Sequence, residues 1–511
     1  MKTNLFVRMA AITLLAALAI PVRLWAQQPR YKLIDFGTFG GPASYFSNGF
    51  DGILNNQGTA VGWADTSTPD PFAPFCVNPD CFVSHAFQTQ NGVLADLGAL
   101  PGGASSLALW ISTNGLIVGN SQNGEIDPLM SPFLGADFAE VRAVFWQNGN
   151  ITDLGTLDGG YESDAIAVNS KGQVVGWSLN LIPDPFSLNC PGFCTTETRA
   201  FVWEGGAMRD LGTLGGNDAL AQFVNEHGQI TGQSYTNTTP NLTTGLPTVH
   251  PFLWEKGQML DIGSLGGTSG FPTALNSRGQ VVGISNLAGD LTSHPFLWSK
   301  KTGLQDLGTL GGDTGVTNWI NDAGDIAGKA DLPGPTPQNH DAVLWRHGAM
   351  IDLGTLPGDS CSNAYYVNSH GQVVGTSESR DLCLIPTGEH AFLWENGGPM
   401  IDLNSEIPPG SSLELTFAVA INNRGEIAGF GVPSGCAPVD VGICGHAYVL
   451  VPCNANSGSG ADCQEEVANP SAPVQTTFKP AAHSAAVTVS HTLQDLVRAR
   501  RPSGERPAIG R

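Results

Sequence analysis

Charged residues are scarce in this sequence: Asp, Glu, Lys and Arg make up 13% of 511 residues, about half the roughly 25% of an average soluble domain. Cations are scarcest, 23 Lys and Arg against 45 Asp and Glu, for a formal charge of −22. A field of that sign repels phosphate backbones and anionic lipid, and so argues against nucleic-acid binding and polybasic membrane docking. Long apolar runs are missing beyond Met9 to Ile20, which is shorter than the ~20 residues of a spanning helix. No Gly-x-Ser-x-Gly, His-Glu-x-x-His, phosphate loop or dinucleotide fingerprint occurs, so the common hydrolase, zinc-protease and nucleotide chemistries have no signature here. No two Cys-x-x-Cys elements occur to supply a zinc site.

What is present begins with an address. Lys2 and Arg8 precede the apolar run, and Leu24-Trp25-Ala26 precedes Gln27, the order of a secretory signal peptide ending at residue 26. Gly 65 and Pro 34 mark a turn-rich folded chain. From 453 to 511 the sequence turns to Ala, Ser, Pro, Gly and polar residues, a flexible low-complexity tail in which His491 to Arg501 has the pattern of one short helix.

Between these ends one motif set recurs eight times. Asp-Leu-Gly-Thr-Leu-Gly-Gly or a variant begins at Asp35, Asp96, Asp153, Asp210, Asp261, Asp306, Asp352 and Asp402. An Asn-x-x-Gly turn follows at Asn55, Asn169, Asn225, Asn276, Asn321, Asn368 and Asn422, with Ser112 in the remaining copy. After a loop of variable length comes His-Ala-Phe-Leu-Trp or a relative, led by His85, Arg142, Arg199, His250, His294, Asp341, His390 and His446. Each unit has four short runs rich in Val, Ile, Leu, Phe and Trp between Gly and Asn turn signals, which predicts a four-stranded antiparallel meander. Strands apolar on both faces, such as Ala391-Phe392-Leu393-Trp394, suit a sheet sandwiched between neighbouring sheets.

The order of parts adds topology. Tyr31 to Asp35 is the last strand of a unit with nothing before it, and His446 to Leu450 is a third strand with no fourth. Joining the two leaves fewer free edges. The expected fold is therefore all-β, an eight-bladed β-propeller over residues 30–452 closed by the N-terminal strand pairing into the last blade. A seven-bladed ring with one aberrant unit and an open array are the competing arrangements.

Over residues 31–451 the units resemble the HAF repeat, named for its His-Ala-Phe triplet. Three motifs recur in fixed order, with Thr89 and Leu450 replacing the Trp and Ser112 the Asn. The resemblance implies a bacterial extracellular protein of undefined activity, and carries over no catalytic residues.

A residue required in every unit is explained by the fold, so the repeated Asp, Asn, His and Trp are assigned to turns, strand hydrogen bonds and packing between sheets, with no catalytic residues named. Function is expected where units differ, on the face where the variable loops emerge beside the Gly-Thr-Leu-Gly-Gly turns. Those loops hold fifteen acids against Lys329 and Arg380. Asp65, Asp70, Asp80, Asp127, Asp137 and Asp184 are oxygen donors of the kind calcium takes, without an ordered ligand spacing; no other cofactor is expected. Glu125 and Glu378 are isolated acids with no partner indicated by spacing. The cysteines fall as Cys76 with Cys81, Cys190 with Cys194, Cys361 with Cys383, Cys436 with Cys444, and Cys453 with Cys463, an even set that reads as disulfides in an exported chain. Chain entropy assigns about 2 kcal/mol to the shortest of these loops.

The expectation is an extracytoplasmic, monomeric, non-enzymatic scaffold that presents variable loops to a glycan, peptide or protein, without nucleic acid or a membrane span after signal cleavage. A propeller hydrolase or lyase with acids near the central channel, and a structural cell-surface protein, are the alternatives.

Overall fold

A computed structural model describes residues 29–47, 52–73, 76, 78–90, 92–129, 131, 137–188, 196–334, 339–379, 389–453, 463–467 and 469–470. The expected signal peptide lies outside them. The described residues form a nearly all-β fold, arranged as successive four-stranded antiparallel sheets. In unit three, Ser163–Val168, Val174–Pro183, Thr196–Glu204 and Ala207–Asp210 pair in sequence order. The turn chemistry explains the first hairpin: Asn169 Oδ1 accepts the N–H groups of Lys171 and Gln173 at 3.0 and 3.1 Å, while Gly172 takes φ 79°, a conformation open to glycine at no steric cost. Gly205 and Gly206, at φ 62° and 88°, turn the second hairpin.

The other units repeat this meander, and units four and five are also joined by one parallel bridge, Val249 to Ser269. Unit eight draws its strands from both ends of the chain. Leu413–Ile421, Ile427–Pro433 and His446–Pro452 are followed in space by Tyr31–Asp35, with Leu33 opposite Leu450. Among the described residues no helix is long and apolar enough to cross a membrane.

Sheets pack face to face through apolar side chains. Val61 and Ala86 of unit one lie against Ala108, Ile111, Val144 and Trp146 of unit two, and Trp146 Nε1 donates to the carbonyl of Leu97 at 3.1 Å. Trp345 makes the same bond to Leu307. The repeated Trp thus joins units, its ring excluded from water and its one donor satisfied.

The repeated Asn does likewise at the turn between the first and second strands. Asn169 Nδ2 donates to the carbonyl of Asn225, Asn225 to Asn276, Asn276 to Asn321, Asn321 to Asn368, and Asn368 to Asn422, at 2.9–3.1 Å. Asn422 of unit eight donates to Asn55 of unit one at 3.0 Å. In unit two, which lacks the Asn, Asn114 Nδ2 reaches Ser170. Asn276 is buried and uses both ends of its amide, so Asn276→Ala is expected to cost about 2–3 kcal/mol by leaving N–H and C=O groups unpaired. The shift in denaturation midpoint at constant m-value checks this, and a loss below about 0.5 kcal/mol would remove the assigned role.

The first strand of most units carries a bulge at one position: Leu109, Ile166, Gln222, Thr273, Asn318, Tyr365 and Val419 are each skipped in the pairing. A bulge re-aims the side chains beside it. Those that follow it include Trp110, Phe223, Trp319 and Tyr366, which meet one another across units. The Trp110 and Phe223 ring centroids are 6.2 Å apart, Trp110 and Trp319 6.4 Å, and Trp319 and Tyr366 4.3 Å. Units two and six thus touch although three units lie between them in sequence.

The expected tail begins with ordered pairings. Glu466–Val467 adds a parallel strand beside Tyr31–Asp35 of unit eight, and Asn469–Pro470 adds one beside Val93–Asp96 of unit one. One short segment therefore bridges the outer edges of the first and last units. It is held by the Cys453–Cys463 disulfide, by Lys32 paired with Glu466, and by the Ser412 N–H donated to Glu465 at 3.0 Å.

Candidate functional site

The variable loops and the Asp-Leu-Gly turns share one end of the strands. At that end the repeated His and the repeated Asp, eleven or twelve residues apart within a unit and 411 apart in unit eight, come together across the third and fourth strands. Nδ1 of His85 lies 2.9 Å from Asp96, His250 3.0 Å from Asp261, His294 2.9 Å from Asp306, and His446 3.0 Å from Asp35. Arg199 replaces the His and meets Asp210 at 2.8 Å. His390 turns instead to Asp359. The Asp also accepts the N–H two residues on, as from Gly37, Gly98, Gly155, Gly212, Gly263, Gly308 and Gly354; Asp402 accepts from Asn404. Burial raises the Asp261 carboxyl, but the His250 hydrogen bond and charge and the Gly263 N–H together outweigh it, and the net shift is downward. Each pair fastens the strand edge to its turn.

Unit six departs from this pattern. Asp341 stands where the His would, facing Asp352, and burial followed by the Asp352 charge and hydrogen bond lifts its pKa to about 6. A carboxyl whose folded pKa lies above its unfolded value binds protons more tightly when folded. Its unfavourable contribution is therefore absent below the unfolded value near 4 and complete above pH 6. Asp341→Asn is expected to stabilise the chain by about 1 kcal/mol at pH 7, allowing for the solvent that reaches Asp352, and by nothing at pH 4. Thermal melts of both proteins at the two pH values test this; equal gains at both would refute it.

Below the loop tips lie three buried acid clusters, one in each of units one to three. The loops of these units share a motif, Asp70-Pro71-Phe72, Asp127-Pro128-Leu129 and Asp184-Pro185-Phe186, in which the Asp Oδ1 accepts the N–H two residues on at 2.8, 2.6 and 2.7 Å. In unit one, Asp65 accepts from Ser84 Oγ at 2.7 Å, Asn78 Nδ2 at 3.0 Å and Ala43 N–H at 3.1 Å, and shares a hydrogen bond with Asp80. Burial and then Asp80 push its pKa to about 8. In unit two, burial and then Asp127 hold Glu162 well above the usual carboxylate range. In unit three, Asp218 accepts from Leu188 N–H at 2.6 Å and Thr198 N–H at 2.8 Å, and burial lifts it to about 8. Asp65 ties its loop to the first strand of its own unit, and Glu162 and Asp218 tie the preceding loop or strand to the following sheet.

The six aspartates considered as calcium donors are thus spread over separate loops. Asp65, Asp70, Asp127 and Asp184 are buried, Asp80 is half-buried and Asp137 is exposed. Among the described residues no group of three or more His, Cys, Asp or Glu side chains is placed to hold a metal ion. Glu125 is exposed at the end of Ile117–Ile126, and Glu378 is buried at the end of Val373–Glu378. The two are not brought together. Disulfides join Cys76 to Cys81, Cys436 to Cys444 and Cys453 to Cys463. Cys361 is disulfide-bonded as well; Cys383, Cys190 and Cys194 lie outside the described residues.

No protein-family model matches the chain. No curated protein sequence matches it either. Among solved structures it is similar to a puromycin-hydrolyzing peptidase of Mycobacterium tuberculosis, at 15% identity and TM-score 0.39 over 80% of this chain and 59% of that one. The chain therefore spans about three-fifths of that peptidase. It is also similar to the β-propeller domain of the Trilobed protease of Pyrococcus furiosus, at 10% identity and TM-score 0.39, covering 72% of this chain and 98% of the domain. The Aleuria aurantia lectin matches at 11% identity and TM-score 0.25, over 60% of this chain and 96% of the lectin.

Proposed function

We propose that the chain is an exported member of the HAF repeat family that forms a closed eight-bladed β-propeller and uses its loop face to hold a glycan, peptide or protein ligand. Closure is supported by the fourth strand that Tyr31–Asp35 supplies to unit eight, by the Asn422 bond to Asn55, and by the contact between Trp110 and Trp319. An extracytoplasmic address is supported by the disulfides, which persist in oxidising compartments.

The binding reading rests on one observation above others: the same strands and turns recur with few exchanges, while the loops they carry differ in length, charge and apolar tips. A rigid frame carrying variable loops is a recurrent design for recognition. The contact of Trp110 with Trp319 and the hydrogen bonds that tie the buried acids Asp65 and Asp218 to their own loops favour this reading over the hydrolase alternative. The test is a glycan and peptide array, with pull-down from envelope extract, using the purified chain with calcium present. Selective capture that is lost on replacing loop residues supports the reading; blank arrays and pull-downs would overturn it.

A further inference from the structure

The loop face of units three to five carries apolar side chains that nothing in the described structure covers. Leu242 is fully exposed, Leu291 is 91% exposed, and Leu181 and Ile182 are about half exposed. They sit on the variable loops of three consecutive units, and so emerge from the same end of the sheets. Single exposed leucines are ordinary, whereas a set gathered on one face marks an interaction surface. Exposed acids share that end of the sheets, among them Asp158, whose neighbour Gly159 approaches Leu181, and Asp313 in the turn before unit six.

The chain itself carries a segment of matching chemistry. Residues 471–511 hold Lys479, Arg498, Arg500, Arg501, Arg506 and Arg511 against Asp495 and Glu505, whereas residues 29–470 hold 14 Lys and Arg against 43 Asp and Glu. More than a quarter of the cations thus fall in this last segment. Leu493, Leu496 and Val497 are spaced to share one side of a helical turn. The point of departure also fits: Asn469–Pro470 runs parallel to Val93–Asp96, whose chain direction leads to the loop face. The twenty residues from 471 to 490 span up to about 66 Å when extended, enough to cross a domain whose radius of gyration is about 22 Å.

We propose that residues 491–511 dock in cis on the loop face of units three to five, so that the protein occupies its own binding face until a ligand displaces them. In that pose Leu493, Leu496 and Val497 lie against the exposed leucines of the loops, and the arginines meet the surrounding acids. Tethering gives the segment a local concentration in the millimolar range, so weak contacts hold it and a moderately tight ligand can replace it. This inference rests on the binding reading above.

Hydrogen exchange on the full chain tests it, with two variants: Arg498→Glu/Arg500→Glu/Arg501→Glu, and Leu242→Ser/Leu291→Ser. At low salt, amides of 491–501 and of the 239–246 loop should exchange at least about tenfold more slowly in the wild type than in the arginine variant. Raising salt to about 0.5 M should erase the difference, because the Debye length then falls below the spacing of exposed charges. The leucine variant should release the tail to the same extent.

Equal exchange in all three proteins would overturn the proposal, as would tail protection that survives the leucine substitutions. Protection that grows with protein concentration would place the tail on a second copy, and protection seen only with anionic vesicles would make it an envelope contact; either result overturns docking in cis. An array signal from a chain whose tail is unprotected would defeat this inference alone. A blank array with a protected tail would defeat the ligand reading alone.

Discussion

Gly176→Ala is expected to destabilise the chain by at least about 3 kcal/mol or to prevent folding, the upper end of what overpacking costs. Gly176 lies on the second strand of unit three, where the bulge at Ile166 brings the first strand unusually close. A methyl group there would overlap the carbonyl oxygen of Asp164 and crowd the Phe201 ring. The first obstacle is backbone, so no side-chain rotation relieves it. The same approach recurs at Gly62, Gly119, Gly232, Gly283, Gly328, Gly375 and Gly429, which explains why the aliphatic run of every unit ends in glycine. Gly334→Ala is the control, since a methyl group there meets nothing within 4 Å; it should change the denaturation midpoint by less than about 0.5 kcal/mol. Equal effects at the two positions would refute the packing argument.

The second large effect concerns how neighbouring units close against each other. At four seams an Ala N–H of the third strand donates to a Ser hydroxyl on the next unit: Ala86 to Ser106, Ala143 to Ser163, Ala342 to Ser362 and Ala447 to Ser44, at 2.7–2.9 Å. At two seams the Ala is Pro251 or Pro295 and the Ser is Gly270 or Gly315, with the ring of Pro295 sitting 2.9 Å from where a Gly315 side chain would begin. Proline has no N–H to satisfy, and glycine makes room for its ring. Either combination is complete, and a mixture is not. Gly315→Ser should therefore cost about 2–3 kcal/mol through the clash, and Pro295→Ala about 1–2 kcal/mol through an unpaired buried N–H. The double variant should return to within about 1 kcal/mol of the wild type, giving a coupling energy of about 2–5 kcal/mol. Additive losses would mean that the two positions do not form one joint.

Most of the frame was legible in the sequence because its signals are local. Asn169 to Gly172 forms a turn within four residues, and the repeated Asp accepts an N–H two residues away, so neither needs a distant partner. The missing strand of unit eight was legible for a different reason: strand order within a repeat is fixed, and Tyr31–Asp35 could only be a fourth strand. The loop anchors were harder to read. Asp218 is held by residues of the preceding unit's loop, and nothing in Asn217-Asp218-Ala219 marks it as buried. The recurrence of Asp-Pro-Phe at residues 70–72 and 184–186 was the available signal, and it lay inside loops taken as dissimilar. The contact of Trp110 with Trp319 and the bridge made by residues 466–470 join distant units, and sequence spacing carries no signal for either. The Pro-for-Ala and Gly-for-Ser exchanges at 251, 270, 295 and 315 were visible one at a time, and their pairing emerges only when adjacent units are placed side by side.

Closure of the units into one ring is the premise on which the loop face, the seams and the axial contact all depend. The most direct test is a double-mutant cycle between Trp110 and Trp319, using Trp→Leu substitutions and denaturant unfolding. In a closed ring the two side chains meet across the axis, and the cycle should give a coupling energy of about 0.5–1.5 kcal/mol, the range of an aromatic pair. In an open array, units two and six would lie too far apart to touch, and losses that add to within about 0.3 kcal/mol would contradict the ring.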